Sequence, residues 1–174
     1  MPRELPDYLR PGLRVVFVGF NPGERSAQVG HYYAGHGNQF WPLVFQSGLV
    51  PEQLGPEDDH RILEFGYGLT DVVKRWSKSA NELKPADFKL GVPRLRERLL
   101  QVAPRVVAFN GKMAYSRFRA SSAKHNRLGW QRETIGHSRV FVLPSTSGRN
   151  GSLTRGEKLA YFRRLARGVK QNGR

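Results

Sequence analysis

Leu13-Arg-Val-Val-Phe-Val-Gly-Phe-Asn-Pro-Gly-Glu24 is the stretch on which the reading of the whole chain turns. Residues Val15 to Val18 are consecutive apolar side chains, β-branched or aromatic, too few for a helix and closed by glycine. That pattern predicts a strand buried on both faces. The strand runs into Gly19-Phe20-Asn21-Pro22-Gly23. Pro22 fixes its own φ and drives Asn21 out of the α region, so a polar amide is held stiffly at the carboxyl end of a central strand. Open α/β sheets keep their sites at that end. Taken alone, the pentapeptide is equally an ordinary Asn-Pro turn.

Downstream, Gly30-His31-Tyr32-Tyr33-Ala34-Gly35-His36-Gly37-Asn38 sets aromatics between glycines, a composition that makes a loop presenting flat rings. Asn38 is placed to cap the helix that follows, with Phe40, Val44 and Phe45 as its buried face. His31 and His36 line either the loop's pocket or its surface. A rigid amide next to a ring platform points to a pocket for a planar ligand.

Two more strands are expected, Arg105–Phe109 and Val140–Leu143. The first leads through Asn110-Gly111 into a helix that starts with Lys112, either a phosphate contact at a helix N-terminus or a solvated lysine. The second delivers Pro144-Ser145-Thr146-Ser147-Gly148-Arg149-Asn150-Gly151 to the same edge as Asn21, provided the strands are parallel. Asp71 follows the glycine-rich Gly66-Tyr67-Gly68. It either caps a turn or pairs with Arg75, or it is a working carboxylate near the sheet's end.

The remaining segments fill in the helices. Residues 1–12, with three prolines, form an arm leading to the first strand. Asp58 or Asp59 caps a short helix carrying Ile62, Leu63 and Phe65, and Pro85-Ala-Asp-Phe opens a helical turn. Pro93 begins a helix with Leu95, Leu99 and Val102 on one face, and Pro104 ends it. Ser121–Arg132, basic and polar, reads as an exposed excursion. Thr154-Arg-Gly-Glu157 is a capping box. It opens a final helix that buries Leu159, Phe162, Leu165 and Val169 and turns Arg163, Arg164, Arg167 and Lys170 outward. Strands alternating with helices predict a three-layer α/β/α sandwich on a mainly parallel sheet.

The totals restrict function. A chain of 174 residues with 39% apolar and 25% charged side chains has the size and composition of one soluble globular domain. No run is long enough to span a membrane and no secretory leader is evident, so a cytoplasmic setting is expected. With no cysteine, thiol catalysis, disulfides and cysteine-bound metal are excluded. Five histidines lack ligand spacing with carboxylates, so neither metal nor other cofactor is expected. Lys and Arg number 29 against 14 Asp and Glu, a formal charge of +15. An excess of that size, mostly arginine, calls for a polyanionic partner, nucleic acid before any other.

In order along the chain, Gly19-Phe-Asn-Pro-Gly23, Gly30-His-Tyr-Tyr-Ala-Gly-His-Gly-Asn-Gln-Phe-Trp41, Asn110-Gly-Lys112 and Pro144-Ser-Thr-Ser-Gly-Arg149 resemble the mismatch-specific uracil-DNA glycosylase and thymine-DNA glycosylase family. The resemblance runs from about Val15 to Val169. It implies a monomeric, cofactor-free enzyme acting on double-stranded DNA. Such an enzyme flips a mispaired or damaged pyrimidine out of the duplex, uracil opposite guanine above all, and hydrolyses its N-glycosidic bond. Asn21 matches the asparagine that positions the attacking water. Tyr33 matches the ring that stacks on the base, backbone around Phe20 would read the base edge, and His31 and Asn38 belong to the same base site. Lys112, Ser145, Ser147, Gly148, Arg149 and Asn150 correspond to the DNA-binding set, with Ser147 and Gly148 pinching the backbone and Arg149 as the wedge filling the vacated stack.

Two positions depart from the family's pattern. The wedge loop has Ser145-Thr-Ser-Gly where bacterial members typically carry Asn-Pro-Ser-Gly, and Asp71 stands where a neutral or basic residue is frequent. An amide orients water but is a poor base, whereas a carboxylate takes its proton and stabilises a cationic sugar. Asp71 is therefore expected to assist Asn21. The competing readings are a non-catalytic DNA-binding module on the same fold and a nucleotide-binding α/β enzyme. The second is weakened because neither a P-loop nor a dinucleotide glycine fingerprint follows the first strand.

Overall fold

A computed structural model describes residues 2–122 and 125–171. Its centre is a five-stranded sheet of order β2-β1-β3-β5-β4, made of β1 Val15–Gly19, β2 Tyr67–Asp71, β3 Val106–Asn110, β4 Gly129–Ile135 and β5 Ser138–Leu143. Strands β2, β1, β3 and β5 are parallel, and β4 runs antiparallel to β5 at one edge. Every residue of β1, β2 and β3 is buried. This is why β1 and β3 have no polar alternation: both of their faces are covered.

Among the described residues there are five α-helices: α1 Glu24–Val29, α2 Phe40–Gln46, α3 Pro85–Val102, α4 Lys112–Phe118 and α5 Arg155–Gln171. Phe17, Leu69 and Ala108 pack with Phe40, Leu43 and Val44 of α2 and Phe162 and Leu165 of α5. On the opposite face Val16, Val18, Val107 and Phe109 pack with Leu95 and Leu99 of α3 and Ala114, Tyr115 and Phe118 of α4. At about 1.5–3 kcal/mol per large apolar side chain buried, these two layers carry most of the stabilisation. The α/β/α sandwich expected from the alternation of strands and helices is the one formed. Among the described residues no helix is long and apolar enough to cross a membrane.

The N-terminal arm lies along the outer edge of β2. Tyr8 and Leu69 exchange both backbone hydrogen bonds at 3.0 Å, closing an edge that would otherwise be free to pair with another chain. A Cβ on Gly68 would come within 2.5 Å of the Tyr8 carbonyl, so glycine is required where arm and strand meet.

Several local expectations are corrected. The helix expected to start at Pro93 starts at Pro85, and Pro93 lies inside it. The hydrogen bond Pro93 cannot make belongs to the carbonyl of Lys89, and both residues are exposed. Phe45, expected in the core, is 38% exposed, because it lies about 100° around α2 from Val44, off the buried stripe. The stretch expected as an excursion over Ser121–Arg132 enters β4 at Gly129, while residues 123 and 124 lie outside the described residues. Val102 and Leu159 are only half-buried, whereas Lys158 is 2% exposed and donates from Nζ to the Asn150 carbonyl at 2.9 Å. The turn Pro56–Phe65 is a 3-10 helix. Its Asp58 accepts the Gly55 N–H at 3.0 Å, and Asp59 turns into the core. The capping box of α5 forms as expected: Thr154 N–H donates to Glu157 and Glu157 N–H to Thr154 Oγ1, each at 3.1 Å.

Candidate active site at the carboxyl edge of the sheet

Period-two alternation decides what stands at the ends of the three inner strands. Phe17, Leu69 and Ala108 face the α2 layer, so Gly19, Asp71 and Asn110, two residues further on, face the same side. Gly19 pairs with Asp71 in the β1–β2 register. The pairing outlasts the strands: Val72 N–H donates to the Gly19 carbonyl at 2.9 Å, Val73 N–H to Phe20 at 3.0 Å and Ser77 N–H to Pro22 at 3.1 Å. The loops after β1 and β2 are thereby stitched together.

Asn21 is held by this stitching. Its Nδ2 donates to Ser77 Oγ at 2.8 Å, to the Arg75 carbonyl at 3.0 Å and to the Pro22 carbonyl at 3.3 Å. Carbonyls only accept, so the nitrogen is identified by its partners and the amide cannot be reversed. Oδ1 accepts no hydrogen bond among the described residues. The side chain is half-buried, and its oxygen is directed by bonds made entirely through its nitrogen.

Asp71 is 3% exposed, and its Oδ2 has no hydrogen-bond partner among the described residues. Burial pushes its carboxyl up to about 7; Lys74 and Arg98 oppose the rise and Asp7 adds to it. A group that titrates there exists in both protonation states near neutrality, which is what proton transfer needs. The structure neither caps a turn with Asp71 nor pairs it with Arg75, whose guanidinium is taken by Asp87 at 2.8 Å.

Tyr33 adopts a left-handed backbone conformation, φ 56°. Its ring stacks on Phe40 with centroids 4.0 Å apart and 25° between planes. The hydroxyl is buried without a partner among the described residues, and burial, then the Asp71 carboxyl, raises its pKa. The strained loop is held on all sides. Asp59, fully buried, accepts from Tyr32 N–H at 2.9 Å and the Tyr8 hydroxyl at 3.3 Å, with His31 Nδ1 at 3.2 Å. Ser26 Oγ accepts Ala34 N–H, and Trp41 Nε1 donates to the Tyr32 carbonyl, each at 3.0 Å. His31 is thus engaged by Asp59 through one ring nitrogen. Asn38 Oδ1 accepts Phe40 N–H at 3.0 Å, but the N-cap of α2 is Gln39, one residue later than expected, and it makes no side-chain cap bond. The Phe20 ring turns away, 5.4 Å from Phe88 in the opposite layer, leaving only its backbone at the rim.

The fourth wall is the loop after β5. Asn110 and Thr146 bond reciprocally, Nδ2 to Oγ1 at 2.9 Å and Thr146 N–H to Oδ1 at 3.0 Å. Thr146 also accepts Gln39 N–H at 2.9 Å. Gly148 lies so close to the His36 and Gly37 backbone that a Cβ there would meet it at 3.1 Å. Ser145 Oγ accepts Ser147 N–H and Ser147 Oγ accepts Arg149 N–H, both at 3.3 Å. Arg149 reaches across to the Lys78 carbonyl at 3.2 Å. Asn150 Oδ1 accepts from Ser152 N–H at 3.3 Å and from its hydroxyl at 2.9 Å. Lys112 is exposed and sits next to Gly111, where a Cβ would come within 3.4 Å of the Ser145 side chain. The three loops expected to converge do so, and the aromatic loop joins them.

Sequence reasoning did not single out Asn110, Thr146, Ser77 or Asp59 as supports. Their role is to hydrogen-bond partners 28 to 56 positions away, and no local spacing announces such pairs. Among the described residues no group of three His, Asp or Glu side chains could hold a metal ion.

A solution NMR structure of a candidate uracil DNA glycosylase from Methanosarcina acetivorans superposes with a TM-score of 0.61 at 25% sequence identity, covering 95% of this chain and 98% of that one. The family model of the Uracil DNA glycosylase superfamily matches residues 6–169, from the N-terminal arm to the last turns of α5. With nearly its whole length accounted for, from the arm through the Asn21 edge to the closing helix, the chain belongs to the uracil DNA glycosylase superfamily.

Proposed function

We propose that this protein is a monofunctional DNA glycosylase that excises uracil from double-stranded DNA, with G·U mismatches as the preferred substrate and thymine or other modified pyrimidines within range. The observation that carries the reading is Asn21: its amide is fixed through nitrogen in the loop after β1, its oxygen accepts no hydrogen bond among the described residues, and the neighbouring strand β2 ends in Asp71, whose buried Oδ2 has no partner among them.

In this mechanism the flipped base lies against the ring of Tyr33, with backbone around Phe20 and the polar groups of His31 and Asn38 at its edge. The C1′–N1 bond breaks with its electron pair leaving on the base, and positive charge develops on the sugar. Asn21 Oδ1 orients a water toward C1′. Asp71, ionised, stabilises the cationic sugar and takes the water's proton as the new C–O bond forms, leaving an abasic site. Lys112, Ser145, Ser147, Gly148 and Asn150 hold the phosphate backbone, and Arg149 enters the stack. Flipping costs a few kcal/mol and least for a mispaired base, which favours G·U over A·U. The +15 charge supplies sequence-independent, salt-sensitive affinity.

The experiment is alkali-revealed scission of labelled oligonucleotides carrying uracil opposite guanine, opposite adenine, or in a single strand. Wild type is compared with Asn21→Ala and Asp71→Asn. Cleavage of G·U with both variants reduced at least a hundredfold supports the two-residue mechanism. Loss in Asn21→Ala alone removes Asp71 from the chemistry. Tight, salt-sensitive binding without cleavage of any substrate leaves a DNA-binding module.

A further inference from the structure

The N-terminal arm reaches the back of the site through Asp7. Its Oδ1 accepts from Thr70 Oγ1 and from Lys74 Nζ, both at 2.8 Å, and its Oδ2 lies 3.1 Å from Arg98 Nε. Thr70 immediately precedes Asp71 on β2, Lys74 follows it by three residues, and Arg98 approaches from α3. Lys74 Nζ also donates to the Tyr32 hydroxyl at 3.3 Å, and that hydroxyl donates to the Pro6 carbonyl of the arm at 2.9 Å. One acidic residue of the arm thus sits between two cations that act on Asp71, whose buried Oδ2 has no partner among the described residues.

We propose that Asp7 is a positioning residue that sets the charge state in which Asp71 works, by neutralising Lys74 and Arg98 and opposing Asp71 with its own charge. The inference rests on the role given to Asp71 above. The charged groups that act on Asp71 are Lys74 from the loop after β2, Arg98 from α3 and Asp7 from the arm. Tyr32 and Tyr33 also face it, and burial keeps their hydroxyls protonated. With Asp7 in place, the two cations do not hold Asp71 permanently ionised. Removing the Asp7 charge leaves both uncompensated and favours the carboxylate. Removing Lys74 does the reverse. The arm is then a working part of the site as well as a cover for the β2 edge.

The test reads the Asp71 carboxyl directly by ¹³C NMR titration of aspartate-labelled protein, its signal identified by loss in Asp71→Asn. The pH profile of single-turnover excision is recorded alongside. Asp7→Asn keeps an acceptor for Thr70 and Lys74 while discarding the charge. It should lower the Asp71 midpoint by on the order of one pH unit and move the acid limb of the rate profile with it, a several-fold gain at pH ~6 relative to the plateau. Lys74→Met should move both in the opposite direction, and Asp7→Glu should restore the wild-type midpoint. Shifts of opposite sign are not what general loosening of the arm produces. An Asp71 midpoint unmoved in both Asp7→Asn and Lys74→Met overturns the proposal. A midpoint that moves while the rate profile stays fixed supports the coupling and instead removes Asp71 from the chemistry, so the two failures are told apart.

Discussion

Gly19 and Asp71 share one space: they pair across β1 and β2, and a Cβ on Gly19 would run into Oδ1 of Asp71 and lie 3.2 Å from the Tyr33 hydroxyl. The smallest possible change at this strand end therefore tests the site. Gly19→Ala must displace the carboxylate, the phenol or both, at about 1–3 kcal/mol of stability. Excision should fall by at least tenfold, measured by single-turnover assay beside a thermal melt. Wild-type rates in Gly19→Ala would mean that the position of Asp71 does not matter to the reaction.

The Asp71 carboxyl is raised from an ordinary 3.8 to about 7 in the folded protein. Between those values the native state binds a proton the unfolded chain has released, so this group's contribution to stability falls as pH rises from about 4 to about 7 and is constant above. Asp71→Asn removes that penalty. Denaturation midpoints of variant and wild type should lie close together at pH ~4.5 and diverge toward pH 8, the variant being more stable there by at most ~4 kcal/mol. The same variant should lose excision activity at every pH.

Ser77 donates nothing to the reaction in this scheme, yet it is the nearest partner of the Asn21 amide at 2.8 Å. Ser77→Ala leaves the Arg75 and Pro22 carbonyls as acceptors, so Asn21 keeps its identity but loses rigidity. A fall in kcat of about three- to thirtyfold with KM little changed is expected from a group that positions without binding substrate. A change confined to KM would contradict it.

Asp59 gathers the Tyr32 N–H, the Tyr8 hydroxyl and His31 Nδ1 around one fully buried carboxylate. Asp59→Ala orphans these donors in the interior, which should cost about 2–4 kcal/mol by chemical denaturation. With the loop under Tyr33 released, affinity for DNA containing an abasic or flipped-base analogue should weaken more than affinity for undamaged duplex. Equal weakening of both would place Asp59 outside base recognition.

Lys112 and Arg149 are both exposed at the rim, but different roles are expected of them. Lys112→Ala should weaken binding to matched and mismatched duplexes alike and reduce the salt dependence of log K by about one phosphate contact. Arg149→Ala should instead lower excision from duplex while sparing uracil in single strands, where no stack needs filling. Binding titrations at several salt concentrations and strand-specific cleavage separate the two.

By itself the sequence determined β1, β3 and β5, the capped α5 and the edge where Asn21 stands, since strands buried on both faces and glycine-proline turns are local properties of composition. It did not reveal β2, because Tyr67-Gly-Leu-Thr-Asp71 carries a glycine demanded by the Tyr8 carbonyl and a carboxylate at its buried end. Nor did it reveal β4, an edge strand whose middle residues Arg132, Glu133 and Thr134 face solvent and erase the apolar signal. The loops that carry Asn21, Tyr33 and Arg149 were legible as motifs. That Asp71 Oδ2 is buried without a partner among the described residues, that Asp59 holds the ring loop and that Asp7 answers Lys74 and Arg98 were decided only by tertiary structure. A side chain's burial, partners and protonation depend on residues 28 to 91 positions away, brought there by sheet order rather than by spacing along the chain.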